Sequence, residues 1–149
     1  MIFADTSLLC ALYREQDNSP DADRLMRRIN EPIHVSSFVL FEFRQSTRLQ
    51  AFRFTKDRTQ GFSKLESRRM LNTLEANITA GRIVVSPVEW QEVHSIAEKI
   101  SAQHTMTGGH RTLDVLHVAT ALHLKAREFL TFDENQAELA KAAGLKMKP

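Results

Sequence analysis

The sequence has little cysteine, glycine or proline, and its apolar runs are short. A single cysteine, Cys10, stands among 149 residues, with five glycines and four prolines. One cysteine cannot form an internal disulfide, so a disulfide scaffold is excluded and a reducing compartment is expected. No run of about 18 apolar residues is present, so we expect no membrane-spanning helix. The chain reaches Asp5 without a basic start, so we expect no signal peptide and a cytoplasmic protein.

The rest of the composition is that of an ordinary globular domain. Apolar residues make up 42% of the chain and charged residues 26%, which excludes intrinsic disorder. A chain of this length buries roughly two-thirds of its unfolded surface and needs no structural metal to fold. The sequence therefore predicts a single domain over residues 1–149.

Positive charge is concentrated in the middle of the chain. The net charge is +2, but residues 44–69 carry +6 and the remainder carries −4. A local basic segment predicts contact with a polyanion, and the alternative is a solvated helix face. The basic residues of this segment are Arg44, Arg48, Arg53, Lys56, Arg58, Lys64, Arg68 and Arg69.

Short apolar runs alternate with longer amphipathic segments. The pattern predicts strands at residues 1–4, 33–36, 82–86 and 129–132, and leaves a fifth open at 145–147. It predicts helices at residues 6–14, 21–30, 38–54, 63–80, 88–104, 112–126 and 134–143. This alternation indicates an α/β fold with a central, mainly parallel sheet of four to five short strands. In such sheets ligands bind beyond the carboxyl ends of the strands.

Two acidic residues directly follow predicted strands. Asp5 comes after the first strand and Asp133 after the fourth, so both should project from the carboxyl edge of the sheet. Each also has a simpler interpretation as the N-cap of the helix that follows it. For Asp133 the glutamine three residues later resembles a capping box.

Two further acids lie within apolar segments. Glu42 stands in a phenylalanine-rich run just after the second strand, and Asp114 stands in an apolar helix that begins after a Gly-Gly break. A buried carboxylate is costly unless it is paired or coordinated. The simpler interpretation for Asp114 is a local partner, either Arg111 or His117, on the same helix face.

The four acids together predict a metal site. Carboxylates that converge would repel one another and take up protons unless a hard cation neutralised them. Donor sets made only of oxygen select Mg²⁺ or Mn²⁺ rather than zinc. Such an ion activates water for attack on a phosphodiester. The sequence therefore predicts metal-dependent phosphodiester hydrolysis, with four side chains as both catalytic residues and metal ligands: Asp5, Glu42, Asp114 and Asp133.

Four sequence motifs carry a resemblance to a known family. They are IFADTS at residues 2–7, SSFVLFE at 36–42, RTLDVLHVATA at 111–121 and FLTFDENQAELA at 129–140. With these motifs the sequence resembles the PIN-domain nucleases, particularly the VapC-type ribonuclease toxins of bacterial toxin–antitoxin pairs. The resemblance implies a PIN-like α/β/α sandwich and hydrolysis of RNA that depends on Mg²⁺ or Mn²⁺.

The resemblance also implies roles for individual residues and partners. The four acids match the acidic quartet of the family, and Ser7 matches a hydroxyl position that helps to orient the site. Arg111 is a supporting residue, and His117 is expected to pack or to form a hydrogen bond beneath Asp114. Active members of the family commonly form homodimers, and a small antitoxin covers their cleft. We therefore expect an RNA substrate, a cognate antitoxin and a homodimer.

The basic segment overlaps a cluster of phenylalanines. Interleaved cations and aromatic rings predict an RNA or partner surface at Arg44, Arg48, Arg53, Lys56 and Arg58. The same features would also suit an antitoxin groove or a dimer interface. We expect core positions for Phe38, Phe41 and Phe43. The choice between core and partner surface stays open for Phe52, Phe54 and Phe62.

Two other functions compete with the nuclease hypothesis. One is a non-catalytic RNA-binding or assembly module whose acids only cap helices; its RNA binding would respond to salt and not to metal. The other is a phospho-acceptor receiver domain, which resembles this chain in its α/β pattern. Receivers carry an acidic pair after the first strand and a lysine after a late strand. Here Asp5 stands alone after the first strand, and Asp133 occupies the late position.

Overall fold

The computed structural model describes residues 1–148 and contains one sheet and seven helices. The strands are β1 (Ile2–Ala4), β2 (Ile33–Val35), β3 (Ile83–Val85), β4 (Glu128–Leu130) and β5 (Met147–Lys148). The helices are α1 (Thr6–Tyr13), α2 (Ser19–Arg28), α3 (Ser37–Lys56), α4 (Lys64–Thr79), α5 (Trp90–Gly108), α6 (Thr112–His123) and α7 (Glu134–Ala142). None of the helices in this described part is long and apolar enough to cross a bilayer.

The sheet has five parallel strands in the order β3-β2-β1-β4-β5. The chain moves from β1 through β2 to the β3 edge, and then returns to place β4 on the other side of β1. A crevice opens beyond the carboxyl ends of the strands where the strand order reverses in this way. The α/β fold with a parallel central sheet is confirmed, and the crevice lies between β1 and β4.

The core lies at the two central strands. Phe3 on β1 and Phe129 on β4 are fully buried, and their stacked ring centroids are 6.1 Å apart. Val118 and Ala119 of α6 are also fully buried in the same core. Strands buried on both faces explain why β1 and β4 read as continuous apolar runs rather than alternating ones.

Side-chain caps start three helices at the carboxyl edge of the sheet. Asp5 accepts a hydrogen bond from the backbone N–H of Leu8 at 3.1 Å, and Ser36 caps α3 through the N–H of Val39 at 3.2 Å. Asp133 caps α7 through the N–H of Gln136 at 3.0 Å. The capping interpretation of Asp5 and Asp133 is therefore confirmed, and it fixes both carboxylates at this edge.

The burial of the phenylalanines differs in part from the prediction. Phe43 is fully buried and Phe38 is partly buried against Trp90, but the predicted core position of Phe41 is wrong, because 58% of this residue is exposed. The apolar run of α3 is wider than the face that the helix buries, and Phe41 falls outside that face. Phe52 is also exposed, at 56%. Phe54 and Phe62 are partly buried.

Two helix ends differ by more than two residues from the predicted boundaries. Helix α5 continues to Gly108 and ends where Gly109 adopts a left-handed φ of 66°. Helix α6 ends at His123 rather than at residue 126, and Lys125 has a left-handed φ of 52° in the turn that follows. That turn leads the chain directly into β4.

Candidate active site

All four predicted acids line one cavity of about 250 Å³. Asp5 comes from the end of β1, Glu42 from α3, Asp114 from α6 and Asp133 from the start of α7. The cavity is therefore built from segments that are far apart in the sequence. The remaining lining residues are Thr6, Ser7, Cys10, Arg14, Ser46, Arg111, His117 and Gln136.

Asp5 is the most buried of the four acids, with 1% of the residue exposed. Its carboxylate accepts hydrogen bonds from Ser7 Oγ at 2.7 Å and from Thr131 Oγ1 at 2.6 Å. Burial raises the pKa of Asp5, and the hydrogen bonds from Thr131 and Ser7 oppose that rise without cancelling it. Positive charge in the cavity would therefore stabilise the ionised form of Asp5.

Ser7 and Thr131 also tie the ends of β1 and β4 together. Ser7 Oγ accepts a hydrogen bond from the backbone N–H of Phe132 at 2.7 Å, and Thr131 Oγ1 accepts one from the N–H of Asp133 at 3.0 Å. The two hydroxyl groups thus hold Asp5 and the start of α7 in one hydrogen-bonded network.

Glu42 is paired with His117. Glu42 Oε2 lies 2.7 Å from His117 Nε2 and also accepts a hydrogen bond from Thr6 Oγ1. Burial alone would raise the pKa of Glu42, but the contacts with His117 and Thr6 outweigh it, and the pKa is lowered. His117 was expected to pack or to form a hydrogen bond, and it does both: its ring packs against Phe38 and reaches across from α6 to Glu42 on α3.

Arg111 neutralises the other two acids. Its Nε lies 3.0 Å from Asp114 Oδ2, and its Nη2 lies 3.2 Å from Asp133 Oδ2. The hydrogen bond and the charge of Asp114, with that of Asp133, raise the pKa of Arg111. The local partner that the sequence left open for Asp114 is therefore Arg111, whose side chain is 70% exposed and free to leave.

The donor set fits a hard divalent cation, although its present arrangement does not. Four carboxylates around one cavity are the oxygen-only ligands that Mg²⁺ or Mn²⁺ prefers. Among residues 1–148, however, no three His, Cys, Asp or Glu side chains are spaced to hold a metal ion as they stand. Arg111 occupies the oxygens of Asp114 and Asp133. A cation would have to take the place of this guanidinium.

The predicted basic residues lie along α3 and just after its end. Arg44 forms an ion pair with Glu75, with 2.5 Å between Nη2 and Oε1. Arg48 lines a separate groove between α3 and α4 together with Lys64 and Arg68. Arg53 lies on the same face of α3 as Glu42, because these residues are separated by about three helical turns.

The other two predicted cations lie against aromatic rings near the end of α3. Lys56 Nζ is 5.5 Å from the centroid of the Phe52 ring, and Arg58 is 4.7 Å from that of Phe54. Such contacts hold a cation near the protein surface and leave it available to a solvent-side partner.

Sequence reasoning missed six residues at the site: Thr6, Cys10, Arg14, Ser46, Thr131 and Gln136. Thr131 and Gln136 flank Asp133 and contribute polar groups to Asp5 and Asp114. Arg14 lines the cavity from the far end of α1. One signal in the sequence could have indicated Arg14: it is a basic residue that directly follows a mostly apolar helix of eight residues.

A parallel α/β sheet with acids from four segments around one crevice defines the class of domain, and comparison by sequence gives the same class. The family model of the PIN domain matches residues 2–142, and the chain belongs to the PIN domain family. No curated protein matches the sequence significantly.

Several solved structures share the fold. VapC20 of Mycobacterium tuberculosis, a toxin that cleaves the sarcin-ricin loop, is 20% identical with a TM-score of 0.66, over 97% of this chain and 96% of that one. FitAcB of Neisseria gonorrhoeae is 20% identical with a TM-score of 0.63, over 100% and 97%. VapBC2 of Rickettsia felis, bound to a DNA fragment from its promoter, is 14% identical with a TM-score of 0.65, over 99% and 98%.

Proposed function

We propose that this protein is an endoribonuclease that depends on Mg²⁺ or Mn²⁺ and serves as the toxin of a type II toxin–antitoxin pair. The observation that carries the proposal is the convergence of Asp5, Glu42, Asp114 and Asp133 on one cavity of a PIN domain. A structural relative that is a toxin cleaving the sarcin-ricin loop supports RNA as the substrate.

The four carboxylates would hold the metal, and the neighbouring residues would orient them. A bound divalent cation supplies a lowered water pKa and neutralises phosphate charge. Ser7 and Thr131 fix the direction of the Asp5 carboxylate through their hydroxyl groups. Glu42 is kept ionised by its contacts with His117 and Thr6, so it would serve as an anionic ligand of the metal.

The decisive experiment removes one carboxylate charge. Asp5→Asn keeps the N-cap of α1, because asparagine caps helices as well as aspartate does. We expect RNA cleavage to fall by at least about 100-fold, since a metal ligand is lost. The measurement is cleavage of total RNA by the purified protein with Mg²⁺ or Mn²⁺, followed by mapping of the cut ends.

The control is Asp23→Asn, which removes the same charge from an exposed position on α2. We expect this variant to cleave like the parent protein. Cleavage that persists in a chelator, or in Asp5→Asn at the parent rate, would show that this site is not a metal-dependent nuclease.

A second candidate is a non-catalytic RNA-binding module of the same fold. It is favoured by the way in which Arg111 and His117 already satisfy three of the four acids. Such a module would bind RNA in a manner that depends on salt and is indifferent to metal. Tighter RNA binding on addition of Mg²⁺ would count against it.

Two partners complete the proposal. We propose a cognate antitoxin, supported by relatives solved as VapBC and FitAB assemblies. We also propose a homodimer, supported by the exposed apolar side chains Phe41 and Phe52 on α3. The antitoxin proposal is tested by coexpression with the product of a small adjoining reading frame. Relief of growth arrest and co-purification are the expected results.

A further inference from the structure

Arg14 is a cation held in the acidic cavity without a counter-ion. It follows the last residue of α1 and lines the same cavity as the four acids. Its Nη2 donates hydrogen bonds to Thr47 Oγ1 at 2.8 Å and to Ser46 Oγ. No Asp or Glu of the described chain lies within ion-pairing distance of it.

The environment of Arg14 makes this lack of a counter-ion costly. Burial lowers the pKa of the guanidinium, and its Nε is buried without a hydrogen-bond partner among residues 1–148. A half-buried cation with an unused buried donor is unfavourable unless an anion completes the arrangement. The carboxylates of the cavity do not act as the counter-ion of Arg14, because each of them accepts hydrogen bonds from other donors.

Aromatic rings and α3 hold the guanidinium in place. Its central carbon lies 5.2 Å from the centroid of the Phe43 ring and 5.9 Å from that of Phe62. Nη2 makes the hydrogen bonds of the guanidinium to α3, which leaves Nη1 and the positive charge of the group for a ligand. A guanidinium that is fixed in this way suits charge-assisted hydrogen bonding to a phosphate.

We propose that Arg14 binds a backbone phosphate of the RNA that neighbours the phosphate cleaved at the acids. The inference rests on the proposed function. Along α1 the backbone of Arg14 lies about 13 Å from that of Asp5, at about 1.5 Å per residue over nine residues. Arg14 is therefore a substrate-binding residue that recognises phosphate and not base identity, and Ser46 is its positioning residue.

The test measures RNA binding without cleavage. In the Asp5→Asn background and with chelator, Arg14→Gln should bind a fluorescein-labelled RNA of about 16 nucleotides roughly tenfold more weakly. The loss should be similar for RNAs of different sequence, because a phosphate contact carries no sequence information. The slope of log affinity against log salt should also fall by about 0.7, the value for one phosphate contact on a single strand.

Arg28→Gln on α2 is the matched control, because it removes the same charge from an exposed residue. We expect little change in affinity from this variant. Arg14→Lys keeps the charge without the planar fork, and we expect intermediate affinity at an unchanged melting temperature. If circular dichroism shows that Arg14→Gln is unfolded, the binding measurement is made on Arg14→Lys instead.

The outcomes separate this inference from the proposed function. Equal affinities for Arg14→Gln and Arg28→Gln, with the same salt slope, would overturn the phosphate site even if the parent protein cleaves RNA. For folded Arg14→Lys, parent-like affinity would overturn the requirement for a planar fork. Binding that depends on Arg14, in a parent protein that shows no metal-dependent cleavage, would support the phosphate site and reject the nuclease.

Discussion

Each acid of the cavity has polar or charged partners in the protein. Asp5 accepts hydrogen bonds from two hydroxyl groups and Glu42 contacts His117, while Asp114 and Asp133 share Arg111. These contacts lower the electrostatic cost of placing four carboxylates around one cavity. They also mean that binding of a cation exchanges one set of contacts for another.

Replacing Arg111 should expose this exchange. Arg111→Met removes the guanidinium that occupies Asp114 and Asp133, so we expect Mn²⁺ to bind several-fold more tightly. The parent ion pairs involve a mostly exposed side chain, and their loss should cost only about 0.5–1 kcal/mol of stability. Isothermal titration calorimetry with Mn²⁺ measures the affinity. Weaker or unchanged binding would show that Arg111 does not compete with the metal.

Asp5 should make stability depend on pH. Its pKa in the folded protein is raised above 3.8, so its stabilising contribution is complete below pH 3.8 and is lost as pH rises through the raised value. In chelator, Asp5→Asn should therefore be the more stable protein near neutral pH, and the gap should close toward pH 3.8. Urea unfolding across this range is the measurement, and a parent protein more stable than Asp5→Asn at neutral pH would contradict it.

The sequence predicted the acids of the site and two of their partners, Ser7 and Arg111, but not the others. Asp5 and Asp133 could be predicted because a strand followed by an acid is a local pattern in the sequence. The contact of His117 with Glu42 depends on how α6 packs against α3, which no local pattern encodes. Arg14 was not predicted as a site residue for the same reason, because its place in the cavity is set by the packing of α1 on α3.

The helices and strands were predicted more fully than the side-chain contacts. Apolar runs and capping residues such as Ser36 and Ser63 mark the element ends in the sequence itself. The errors fall where the backbone is unusual, as at Lys125, or where an apolar run exceeds the buried face of a helix, as at Phe41.

Thr131 supplies one of the two hydroxyl groups that tie the ends of β1 and β4 together. Thr131→Val keeps the shape of this residue but removes the donor to Asp5 and the acceptor for the N–H of Asp133. We expect a loss of about 1–3 kcal/mol in the free energy of unfolding, because buried polar groups lose their partners. Thr79→Val, at an exposed end of α4, is the control. Equal unfolding midpoints in urea for the two variants would contradict the role of Thr131.

The chain as a whole carries an exposed apolar face on α3. Phe41 and Phe52 are exposed by 58% and 56% and lie about three helical turns apart, on one side of the helix. If this face forms the proposed homodimer, Phe41→Arg should convert the protein to a monomer by placing a charge in an apolar interface. Light scattering after size-exclusion chromatography measures the mass. Met106→Arg is the control at a residue that is 91% exposed, and a dimer that survives Phe41→Arg would exclude this face.

The order in which the sheet is assembled has a consequence for synthesis of the protein. The first strand is central, and its neighbour β4 begins only at Glu128, with the last acid, Asp133, just beyond it. A nascent chain emerges from its amino end, so the acid set stays incomplete until Asp133 has been synthesised. Any product truncated before Asp133 is therefore released without the full set of acids.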